Sequence, residues 1–129
     1  MMIRTSLFSQ VLLLACLSLP SVALASPPSL SAALVDRDAK ARKGWATVEV
    51  KVAGIELVDS PTGQVRDGEG HLHYRVDGGL VIATTARKLS FHALSPGKHR
   101  IEVRLVGNDH LDLGPVSSLD VTVTGSSPH

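Results

Sequence analysis

Valines 48, 50 and 52 alternate with Thr47, Glu49 and Lys51, and this two-residue period constrains the fold more than any other feature of the chain. Successive side chains of a strand point to opposite faces, so such a segment has one buried and one wet face. Ile101, Val103 and Leu105 alternate with Glu102 and Arg104, and Val121 and Val123 with Asp120, Thr122 and Thr124. Further strand candidates are Leu30–Val35, Ile55–Val58, His71–Val76, Leu80–Thr84 and Lys88–Ala93. Turn residues punctuate them at Asp59–Gly63, Asp67–Gly70, Asp77–Gly79, Ser95–Gly97 and Gly107–Asp109. Asp77-Gly-Gly favours a tight hairpin. Arg37–Gly44 is short and charged and reads as an exposed loop, so no helix is long enough for a crossover. The expectation is an all-β, antiparallel sandwich or barrel of about seven short strands.

The first 25 residues read as an address. Arg4 gives a positive start, Val11–Leu19 an apolar run ended by Pro20, and Ala23-Leu-Ala25 a small-x-small cleavage site. Removing this leader leaves equal numbers of basic and acidic residues and no cysteine, so the domain would be neutral and free of disulfides. Leu13-Leu-Ala-Cys16 also resembles a lipoprotein signal that would anchor the chain by lipid at Cys16. The apolar run continues past Cys16, which favours the ordinary site. The expected organisation is a signal peptide at 1–25 and a single domain at 26–129, with an ordered core of about 29–124 and loose ends. Periplasmic or extracellular localisation follows. No apolar run reaches the length of a membrane span, and a pI of 8.0 carries no basic stripe for nucleic acid.

Leu94-Ser-Pro-Gly-Lys-His99 leads into a strand whose inward face runs through His99, Ile101, Val103 and Leu105. This stretch resembles the E–F corner of immunoglobulin and fibronectin type III domains, with His99 where a tyrosine is usual. Together with Gly70-His-Leu-His73, Val76-Asp-Gly and Asn108-Asp-His110, it resembles uncharacterised immunoglobulin-like domains of secreted bacterial proteins, over roughly Gly70 to Val123. The resemblance implies an immunoglobulin-like antiparallel β-sandwich and export, and brings no activity. It makes His71–Val76 strand C, Lys88–Ala93 strand E, His99–Val106 strand F and Leu119–Thr124 strand G.

Six histidines stand among few aromatic residues. Parity puts Leu72, Tyr74 and Val76 inside and His71, His73 and Arg75 outside. Carried backwards, the outer face collects Asp67 and Glu69 if the chain stays extended across Gly68 and Gly70. The resemblance places the start of strand C beside the loop after strand F, hence His71 near Asp109, His110 and Asp112. Two histidines at i and i+2 with a third from a neighbouring loop form a chelating pattern for zinc or copper. The candidate ligands are His71, His73 and His110, with Glu69 and Asp109 in support. A solvated polar edge is the simpler reading of the same residues. His99 reads as structural, with a ring nitrogen bonded to backbone; His92 faces out at the opposite pole, and His129 lies in the tail.

Gly68-Glu-Gly-His-Leu-His73 also resembles the first copper-binding segment of copper–zinc superoxide dismutase. That family's remaining ligand segments and its disulfide cysteine are missing, so the activity is not carried over. No G-x-S-x-G, H-E-x-x-H or P-loop pattern occurs. Trp45, Tyr74 and Phe91 read as core rather than as a stacking platform. The first expectation is therefore an exported, non-enzymatic binding or interaction domain of the bacterial envelope, with an envelope protein as partner. The second is a periplasmic zinc- or copper-binding protein. Ring nitrogens of His71 and His110 within about 4–5 Å of each other would favour the second.

Overall fold

The computed structural model describes residues 15–18 and 26–127. Most of the expected leader and His129 therefore lie outside the described residues; Cys16 is exposed. The described residues form eight strands and one short helix: β1 (Ser29–Leu34), α1 (Arg37–Ala41), β2 (Ala46–Ala53), β3 (Glu56–Leu57), β4 (Glu69–Val76), β5 (Ile82–Thr84), β6 (Lys88–Phe91), β7 (Gly97–Val106) and β8 (Asp112–Val123). The chain is all-β in class, as its alternation requires.

Two sheets share the strands. One has the order β1-β2-β6; the other runs β3-β4-β7-β8, with β5 also paired to β4. All pairs are antiparallel except β3 with β4, where Glu56 and Leu57 lie parallel to Glu69 and Gly70. The expected all-antiparallel arrangement thus fails at one short contact. The intervening 58–68 segment returns the chain to run beside β3 in the same direction. The Asp77-Gly-Gly turn does join two antiparallel strands, with Tyr74 opposite Ile82 and Gly79 N donating to Val76 O at 2.9 Å.

Inward residues of both sheets meet in one core. Val48 and Val50 from β2 join Leu72 and Tyr74 from β4, Ile101, Val103 and Leu105 from β7, and Val121 from β8. Leu72 and Ile101 are wholly buried, and their strands pair so that Val76 faces Ile101 and Leu72 faces Leu105. Burial of each such side chain contributes roughly 1.5–3 kcal/mol against the entropy of ordering the chain. The Tyr74 hydroxyl donates to Ala86 O at 2.8 Å, tying the β5–β6 connection to the core, and burial pushes its pKa up to about 12.

Several expectations need correction. Arg37–Gly44 is not simply an exposed loop: it holds α1, whose Ala41 is buried. The Ala41 carbonyl accepts from Thr124 N and Gly125 N at 3.1 and 3.2 Å, so the helix end is docked on the chain leaving β8. The tail is not loose through Ser127. Its hydroxyl accepts from Trp45 Nε1 and Ala93 N and donates to Lys43 O, each at 3.1 Å. Thr47 is buried despite its outward parity and pairs with the Ser90 hydroxyl at 2.7 Å, under the helix that packs against β2. Trp45 is half-buried, with its ring edge against His92 at 4.6 Å, rather than in the core.

Strand β8 begins seven residues before the expected Leu119. Pro115 lies within it, and β8 is an edge strand, where a proline needs no partner for its missing N–H. A register shift between Arg104 and Val106 absorbs the extra residues.

Candidate metal centre

His71 and His73 lie on one face of β4 because one residue separates them. Across the ladder they stand opposite Val106 and Arg104 of β7. Immediately upstream, Gly70 is required by crowding: a Cβ there would run into Val106 O and approach Ile55 Cδ1 to 2.9 Å. Beyond β7 the chain reverses in a tight turn. His110 N donates to Gly107 O and Gly107 N to Leu111 O, each at 2.9 Å, while Asp109 Oδ1 accepts from Leu111 N at 3.1 Å. The turn holds His110 in the left-handed region, φ 65, and brings its ring back over β4. Asn108, 2% exposed, anchors the turn by donating to Gln64 O at 2.8 Å and Glu69 Oε2 at 3.1 Å.

The three rings converge. His71 Nε2 lies 3.1 Å from His73 Nε2 and 3.1 Å from His110 Nδ1, and the last two are 3.0 Å apart. An imidazole nitrogen has one in-plane orbital, which holds either a proton or a lone pair. Among three such atoms at least two must be alike, so a closed ring of hydrogen bonds is impossible. One contact pairs two lone pairs or two protons, and both repel. A cation at the centre removes the conflict by accepting all three lone pairs. With metal–nitrogen bonds of about 2.0–2.1 Å, these edges correspond to angles of roughly 95–100° at the ion. That suits a facial three-nitrogen set.

Protonation favours the same use. Burial lowers the pKa of His71 below its ordinary value, and His110 lowers it further against an opposing pull from Asp59. Burial also lowers that of His73, with His71 and His110 adding to the effect. Both rings are thus held in the neutral form that binds metal.

Among the described residues, the group placed to hold a metal ion is His71, His73 and His110. The supporting carboxylates point elsewhere: Glu69 is occupied with Asn108 and Asp109 with Leu111 N. Asp67 sits in a turn with Gly68 at φ 79, so the outer-face parity does not extend to it. His71 is buried rather than wet, and Val58–Pro61 lines the cleft beside it. Sequence reading missed the anchoring role of Asn108.

The other histidines are separate. His99 Nδ1 meets Asp77 Oδ2 and its Nε2 meets Ser95 O, both at 2.6 Å, which agrees with a structural corner residue. Both partners are acceptors, so they favour the doubly protonated ring; the Ser95 bond and then Asp77 raise its pKa. His92 packs on Trp45. No described helix is long and apolar enough to cross a membrane. Compared with protein-family models, curated proteins and solved structures, the chain matches none.

Proposed function

We propose that this chain is an exported metal-binding domain that holds one zinc or copper ion through His71 Nε2, His73 Nε2 and His110 Nδ1. The observation that carries the reading is the triangle of nitrogens with edges of 3.0–3.1 Å, which neutral imidazoles cannot satisfy among themselves. A solvated polar edge gives no reason for three rings to converge. Export rests on the leader pattern of residues 1–25. An immunoglobulin-like sandwich is supported by sheets ordered β1-β2-β6 and β5-β4-β7-β8, in place of A-B-E and C′-C-F-G.

The broader expectation, an interaction domain for an envelope partner, draws support from Leu80, Val81 and Ile82, which are exposed around an edge strand. Their exposure names no partner, whereas the histidine triangle names its ligand class. No catalytic role is assigned.

The test is a zinc and copper titration of the full chain against His71→Ala plus His73→Ala. Wild type should bind one equivalent, and the double variant should lose at least about 100-fold in affinity through two missing ligands. Binding should weaken as pH falls, because protons compete for the ring nitrogens. Equal binding by both proteins contradicts the assignment.

A further inference from the structure

Three protein nitrogens leave zinc or copper(II) short of four ligands. Nearby carboxylates do not complete the set. Glu69 holds Asn108, Asp109 caps its own turn, and Asp112 accepts from Arg104 Nη1 at 3.0 Å. What adjoins the triangle is a cleft of about 400 Å³ lined by Val58–Pro61, Ala83–Thr85, His71 and His110. That size admits a small ligand.

The chemistry of the cleft is specific. Ser60 and Thr85 supply hydroxyls, and Asp59 supplies the carboxylate among its lining residues. Asp59 lines the same cleft as His71 and His110, so its charge lies beside the triangle.

Resting on the metal reading above, we infer that the bound ion keeps an exchangeable coordination position that opens on this cleft and takes water or a small inorganic anion. The hydroxyls donate to the incoming ligand. Asp59 accepts from bound water and repels a bound anion, so the wild-type cleft favours water.

Cobalt(II) and azide test this in the full chain. Cobalt reports its coordination through its visible absorption, and azide is a small monodentate anion. The expected result is stoichiometric cobalt binding and a saturable spectral change on adding azide. Asp59→Asn, at an exposed position, should tighten azide about 3–10-fold by removing one like charge. Bound cobalt whose spectrum ignores azide overturns the open position while leaving the metal centre standing. Azide affinity unchanged in Asp59→Asn overturns the assignment to this cleft. A wild-type chain that develops no cobalt spectrum fails the metal reading itself, and the inference with it.

Discussion

His110 carries its ring on a left-handed backbone, φ 65, a conformation that costs an L-residue about 1–2 kcal/mol. Glycine adopts it freely but loses more chain entropy on folding, which offsets part of the gain. His110→Gly should therefore leave the metal-free chain as stable, or up to about 1 kcal/mol more stable, in urea melts. It should at the same time weaken zinc binding by at least about tenfold. A variant that loses stability and keeps its zinc would contradict the role given to this residue.

His99 and Asp77 show the opposite pattern, a pair that stabilises the fold through its charges. The folded-state pKa of His99 is raised above 6.5, so its contribution is full below that value and is lost as pH rises through the raised one. Asp77 is lowered from 3.8, first by its bond from Arg100 N and then by His99. Its contribution is present above 3.8 and is lost as pH falls through the lowered value. The stability difference between wild type and Asp77→Asn should be largest between about pH 4 and 6.5 and shrink above it. Titration of His71 and His73 is common to both proteins and cancels. Denaturant melts at several pH values measure the difference, and a flat profile would sink the pair.

At the scale of elements, the strands were legible and their coverings were not. Valines 48, 50 and 52 and the row Ile101, Val103, Leu105 set their own faces, because strand parity is local. The meeting of His71 with His110 was implied by the resemblance to immunoglobulin-like domains, which sets the start of strand C beside the loop after strand F. What escaped depends on segments far apart in sequence. Ala41 becomes a buried helix end only because Thr124 and Gly125 dock on its carbonyl. Pro115 stays within a strand only because that strand lies at an edge. Asp59 and His71 line one cleft only because the chain after β3 loops back beside β4. Ser127, in a tail that looks featureless, is tied to Trp45, Ala93 and Lys43. Ser127→Ala should lower stability by about 1–2 kcal/mol in thermal or urea melts and leave zinc affinity unchanged. A shift in zinc affinity would mean that the two ends of the domain are coupled.

For the whole molecule, two sheets enclose one core and no disulfide is available among the described residues to reinforce it. A metal that binds the folded chain alone would add stability by mass action, about 2.7 kcal/mol at a hundredfold excess over its dissociation constant. The turn at Gly107–Leu111 and the start of β4 would gain most, since they carry the three histidines. The proposed function rests on these imidazoles sharing one ion. X-ray absorption at the zinc edge of the loaded full chain measures that shell directly. Three imidazole nitrogens at about 2.0–2.1 Å, with the outer-ring scattering of histidine, are the expected result. A shell of oxygen atoms with no imidazole signature would contradict it.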